Sequence, residues 1–141
     1  MKQLILALLI ISNVCGPVAG RWSVPAKGYN VAYRKPTKQS SNLYGYNKGY
    51  SELAVDGNTD SNFYHGSCTH TKNEFKAWWM VDLKSSYNIY AVKLFNRKDV
   101  PERLSNFRIE VSSNLFSWSH CYYQSGGLND VWELFHCQAS P

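Results

Sequence analysis

Apolar and polar residues alternate most clearly in the middle of the chain. Trp79, Val81 and Leu83 share one side of a short run, and Lys84-Ser85-Ser86 ends it. Phe107, Ile109 and Val111 interleave with Arg108 and Glu110, the pattern of a strand with one face buried. Residues 89–95 are apolar on nearly every position, which predicts a strand covered on both faces. Further on, Tyr122-Tyr123 and residues 131–137 flank the turn-rich Gln124-Ser125-Gly126-Gly127-Leu128-Asn129-Asp130, predicting a hairpin. Before these runs, Asn30-Val31-Ala32-Tyr33 reads as a short strand, and residues 35–50 are polar and turn-rich. Glu52-Leu53-Ala54-Val55 leads into an irregular loop. No stretch keeps a helical period beyond a turn or two. Many short strands separated by turn signals predict an all-β domain, an antiparallel β-sandwich or jelly roll. Such a fold does not by itself name a function.

The first twenty residues have a different pattern. Lys2 precedes an apolar run over residues 4–11, too short to span a bilayer, and Gly16-Pro17-Val18-Ala19-Gly20 offers small residues for cleavage. Residues 1–20 are therefore expected to be a secretory signal, and residues 21–141 one extracellular domain. The formal net charge of +5 includes Lys2, and the other basic residues are scattered, so nucleic acid is not an expected partner. No second apolar stretch follows, so no membrane span is expected. Of four cysteines, Cys15 lies in the leader, leaving Cys68, Cys121 and Cys137. In an oxidising compartment Cys121 and Cys137, on either side of the hairpin, are expected to pair, and Cys68 is left unpaired.

Chemistry concentrates in residues 56–70, which hold Asp56, Asn58, Asp60, Ser61, Asn62, Ser67, Phe63, Tyr64, His65, Cys68 and His70. Asp, Asn, Ser and Gly favour turns, and their oxygens suit a hard cation. Asp56, Asn58 and Ser67 with backbone carbonyls are candidate calcium ligands, and a solvated loop of Asx turns accounts for the same composition equally well. The start resembles an EF-hand loop, but the sixth position is not glycine and Ser67 stands where a bidentate Glu is needed. His65, Cys68 and His70 have spacing suited to zinc but lack a fourth ligand. His70 with Arg97, Asp99 and Arg103 is a third constellation. Arginine forks and an imidazole can read sugar hydroxyls, with Asp99 buttressing Arg97; solvated arginines and an exposed histidine are the simpler reading of the spacing alone. No nucleophile elbow or paired-carboxylate signature appears, so an enzyme is not expected.

These blocks, taken in order, resemble a known family. Asn30-Val31-Ala32-Tyr33, Lys35-Pro36-Thr37, Gln39-Ser40-Ser41, the run from Ala54 through Asn62, His65 through Thr71, Trp78-Trp79, Val81-Asp82-Leu83, Asn96-Arg97 and Glu102-Arg103-Leu104 are similar to the F-type lectins, or fucolectins. The resemblance implies a β-jelly roll with structural calcium (Ca2+) that recognises terminal L-fucose on glycans and glycoproteins without catalysis; a homo-oligomer is compatible with it. It implies sugar contacts from His70, Arg97, Asp99 and Arg103, an apolar pocket for the fucose methyl from Phe63 and Tyr64, and calcium ligands at the Leu53 carbonyl, Asp56, Asn58 and Ser67. Three departures stand out. Only Val100-Pro101-Glu102 separates Asp99 from Arg103, one residue fewer than usual. No adjacent cysteines occupy that gap. Family domains also continue for about one more hairpin past the segment matching Phe135-His136-Cys137, bringing a partner for Cys68 and an acidic calcium ligand. The domain is therefore expected to be incomplete at its C-terminus. The departures also motivate an alternative, a structural or interaction remnant of the fold that binds no sugar. A phospholipid-binding jelly roll would instead need exposed apolar spikes, with Phe116 and Trp118 as candidates.

Overall fold

The computed structural model describes residues 6–9, 13–15, 30–43, 45 and 49–137. Among them nine strands form two antiparallel sheets, and no α-helix is present. The strands are β1 (Leu6–Leu9), β2 (Asn13–Cys15), β3 (Thr37–Gln39), β4 (Cys68–His70), β5 (Trp79–Asp82), β6 (Ala91–Phe95), β7 (Ser105–Ser112), β8 (Ser119–Gly127) and β9 (Trp132–His136). One sheet has the order β3-β5-β1-β7-β8 and the other β4-β2-β6-β9. The all-β sandwich expected from the alternation is the observed fold class.

The alternating residues build the core. Trp79, Val81 and Leu83 point inward from and just beyond β5, Phe107 and Ile109 from β7, and Leu94 and Phe135 from the facing sheet. Phe107 and Phe135 meet edge to face at 5.4 Å between centroids, and Tyr122 packs on Phe135 at 5.0 Å. Burying a side chain such as Phe107 stabilises by roughly 1.5–3 kcal/mol. The indole N–H of buried Trp79 donates to the Ser51 carbonyl at 2.8 Å, so the aromatic brings no orphaned donor into the core.

Three local expectations change. Residues 31–34 form turns rather than a strand: Asn30 Oδ1 accepts the Ala32 N–H at 3.0 Å, and Lys35 N–H reaches Ala32 O at 3.1 Å. This is the competition between an Asn side chain and regular backbone pairing. Ser51–Ala54 is a 3-10 turn. β8 and β9 do not form a hairpin, because β8 pairs with β7 and β9 with β6, in opposite sheets. The Cys121–Cys137 disulfide does form, with its Cα atoms 4.4 Å apart, and so it joins the two sheets. Finally, β1 and β2 lie within the expected leader. β1 pairs with both β5 and β7, and β2 with both β4 and β6. The expected boundary between residues 20 and 21 lies outside the described residues.

Candidate functional site

Three loops meet beyond the ends of β4 and β6. His70, the last residue of β4, is 7% exposed. Its Nδ1–H donates to the Thr71 carbonyl at 2.5 Å, which leaves Nε2 carrying a lone pair. Arg103 Nη1 stands 3.4 Å from that Nε2. Burial holds the imidazole below the ordinary histidine range; the Thr71 hydrogen bond opposes the shift, while the charges of Arg97 and Arg103 add to it. The ring is therefore neutral at neutral pH, with its acceptor nitrogen beside the Arg103 guanidinium.

Arg97 follows β6 and is only 3% exposed. Nε donates to Asp99 Oδ1 at 2.9 Å and Nη2 to Asp99 Oδ2, the bidentate fork that the spacing anticipates. The pairing keeps the Asp99 carboxyl below its usual range. The Arg97 guanidinium lies 4.0 Å from the Phe63 ring centroid, and that ring meets the His70 ring edge to face at 5.3 Å. Arg97 Nη1 is buried and has no acceptor among the described residues. An unmet buried donor costs about 1–3 kcal/mol, and supplying an acceptor to Arg97 Nη1 would recover that cost.

The short gap before Arg103 forms a 3-10 turn over Pro101–Arg103, with proline at its start. Asn96 Nδ2 donates to the Pro101 carbonyl at 2.8 Å, and Leu104, with no exposed surface, anchors the far end. The shortened gap thus still returns Arg103 to His70. Tyr64 is placed differently from Phe63. It meets the Phe63 ring edge to face at 5.8 Å but is 69% exposed, so it lines the approach rather than the floor.

The oxygen-rich loop is a ladder of side-chain turns. Asp56 Oδ1 accepts from Asn58 N at 2.7 Å, Asn58 Oδ1 from Asp60 N at 3.0 Å, Asp60 Oδ1 from Asn62 N at 2.9 Å, and Asn62 Oδ1 from Tyr64 N at 3.1 Å. Ser67 Oγ donates toward the Asp60 carbonyl at 2.5 Å and lies 3.1 Å from the Asn62 carbonyl. Lys98 N–H donates to the Ser61 carbonyl at 3.0 Å, joining this loop to the Arg97 segment. The donor set is a carboxylate, an amide oxygen, a hydroxyl and carbonyls, which fits a hard cation and does not fit zinc.

The family model for the NedA-like, galactose-binding domain matches residues 53–140. Fucolectin of Anguilla anguilla is 40% identical over 117 residues, covering 78% of this chain and 74% of that protein. The chain belongs to the F-type lectin, or fucolectin, family. It spans about half the length of several fucolectins of Anguilla japonica. Among solved structures, a fucose binding module of Streptococcus pneumoniae superposes with a TM-score of 0.70 at 36% identity, covering 81% of this chain and 79% of that one. The lectin domain of lectinolysin, solved in complex with Lewis B antigen, gives a TM-score of 0.73 at 36% identity, covering 82% and 81%.

Within this F-type lectin chain, His70, Arg97, Asp99, Arg103 and Phe63 form one connected cluster. The zinc candidates part company. His65 Nδ1 pairs with Asp60 Oδ2 at 2.6 Å, His70 turns to Thr71, and Cys68 is disulfide-bonded. That bond overturns the unpaired thiol: discarding Cys15 with the leader left Cys68 over, whereas in the structure Cys15 is the residue opposite it on β2. The expected apolar spikes divide as well. Phe116 is 94% exposed, while Trp118 joins Trp78, Met80 and Leu115 around a shallow hollow of about 360 Å³. The sequence reading assigned no role to Gly49, whose carbonyl accepts the His70 N–H at 3.0 Å. A Cβ on Gly49 would lie 2.5 Å from both His70 N and His70 Cβ. No local pattern marks it, since its neighbour in space is twenty-one positions away in sequence.

Proposed function

We propose that this protein is a secreted, calcium-associated lectin that recognises terminal L-fucose on glycans. The observation that carries the reading is the buried Arg97 Nη1–H, which has no acceptor among the described residues and belongs to a guanidinium held by the Asp99 fork beside the Phe63 ring that also meets His70. Arg97 and Arg103 donate to sugar oxygens, and His70 Nε2 accepts a hydroxyl proton. Phe63 offers an apolar floor for the 6-deoxy methyl, with Tyr64 at the rim; a sugar with a hydrophobic corner beside its hydroxyls suits such a surface. The fucose-binding relatives support the choice of sugar. Asp56, Asn58, Ser67 and the Leu53 carbonyl are the residues that would hold calcium, which would stiffen the loop carrying Phe63 and His70.

The test is binding of the refolded full chain to immobilised fucosylated glycans, with L-fucose as competitor and with calcium present or chelated. Fucose-inhibitable binding is expected. Its absence in both conditions overturns the reading and leaves the non-binding remnant. Calcium should also raise the melting temperature of the parent, and Asp56→Ala should abolish that rise. Export rests on the leader-like residues 1–20 and on the disulfide pairing. Intact-mass measurement of protein recovered from a secreting cell shows whether β1 and β2 remain on the exported chain.

A further inference from the structure

His70 ends β4, an edge strand of its sheet, and among the described residues no further strand pairs along that edge. Two backbone hydrogen bonds from the preceding loop do so instead. Leu43 N–H donates to the His70 carbonyl at 2.9 Å, and the His70 N–H donates to the Gly49 carbonyl at 3.0 Å. Only glycine permits that approach, since a Cβ at position 49 would collide with His70 backbone.

What holds this loop in place comes from the other sheet. Gln39 ends β3, an edge strand of the five-stranded sheet. Its Nε2 lies 2.8 Å from the Gly49 carbonyl, 2.8 Å from the Ser41 carbonyl and 2.7 Å from Asn42 Oδ1. Its Oε1 accepts the hydroxyl of Thr69, the residue before His70. The His70 carbonyl lies at 3.4 Å from the same nitrogen, so four acceptors share the two protons of the amide NH₂ while its oxygen is used at the same time. One carboxamide therefore ties together both ends of the segment 41–49 and the backbone that presents the imidazole.

The geometry points to Gln39 as a positioning residue for the sugar site. It reaches no sugar itself. It fixes the Gly49 carbonyl, which receives the His70 N–H and so sets where Nε2 stands relative to Arg97 and Arg103. The position calls for a donor and an acceptor together. Glutamate would set a carboxylate against these acceptor oxygens, and an apolar side chain would remove the amide donor that they share. This assignment rests on the lectin reading above, because the quantity positioned is an acceptor for a sugar hydroxyl.

The experiment compares the full chain with Gln39→Met and Thr69→Val. It reads L-fucose affinity by calorimetry, melting temperature, and the nitrogen-15 signals of the His70 imidazole. Gln39→Met is expected to weaken fucose binding about tenfold or more, because a directional contact is misplaced by a fraction of an ångström. Thr69→Val, which keeps the amide donor on Gly49, should weaken it by about two- to fivefold. In both variants the imidazole signals should move from a single Nδ1–H tautomer toward a mixture. A lower melting temperature with fucose affinity within about twofold of the parent, and unchanged imidazole signals, overturns the assignment in favour of a purely structural role. Should Gln39→Met fail to fold, Thr69→Val decides by the same criteria. If the parent binds no fucose, the lectin reading falls, and the positioning claim is judged on the imidazole signals of the sugar-free proteins alone.

Discussion

Arg97 combines burial, a bidentate carboxylate and one unmet N–H, and each has a consequence for substitution. Lysine keeps the charge but loses the fork, so Arg97→Lys should lower fucose affinity about a hundredfold by calorimetry, the equivalent of one charge-assisted hydrogen bond or slightly more. His70 makes a pH prediction. Its folded pKa lies below the unfolded value, so its contribution to stability is fully present above the unfolded value and is lost as pH falls through the folded one. Fucose affinity should be flat from about pH 8 to 6.5 and fall at lower pH as Nε2 gains a proton, with melting temperature declining over the same acid range. At this scale the sequence was informative wherever residue chemistry was dense. His70, Arg97, Asp99 and Arg103 stood out as a candidate set, but their spacing alone favoured solvated side chains, and it was the resemblance to the F-type lectins that gave them a sugar-binding role. Gln39 and Gly49 did not stand out, because a polar, turn-rich segment looks the same whether it is solvated or folded against a distant histidine.

At the level of elements, strand existence was easier to read than strand pairing. β5 and β7 show period-two burial in composition alone, and both appear where the alternation places them. The segment between Cys121 and Cys137 carries turn residues that serve equally to close a hairpin or to pass the chain from one sheet to the other. The structure takes the second course, which changes what the disulfide does. A crosslink within a hairpin would reinforce existing hydrogen bonds, whereas this one joins strands of two different sheets. Replacing both cysteines, Cys121→Ser with Cys137→Ser, should cost about 3 kcal/mol in a denaturant titration, as expected for a closed loop of this length. The oxygen-rich loop was legible as a loop because Asp and Asn compete with regular pairing. The ladder of four successive side-chain turns that orders it became visible only in three dimensions.

Across the whole molecule, the leader-like segment is the least expected contributor. β1 is the middle strand of five, bonded on both sides, with Ala7 opposite Val81 on one flank and Val111 on the other. Proline there removes a donor from a central strand, so Ala7→Pro in the refolded full chain should lower stability by about 1–3 kcal/mol or more, measured by the shift of a urea midpoint. An apolar run near the N-terminus fits an export signal and a central strand equally well, because both are short and lack charge. The register also sets a timetable. Leu9 waits for Trp79, and Leu6 for Ser112, so the first strand made meets its neighbours only after most of the chain has been synthesised. At about 5–20 residues per second, some hundred residues of translation take on the order of 5–20 seconds. Until Trp79–Asp82 has been made, Leu6–Leu9 has neither flanking strand to pair with and remains available to any receptor that reads apolar nascent segments. Were this stretch also an export signal, the order of synthesis would separate in time two uses that the finished sheet could not accommodate together.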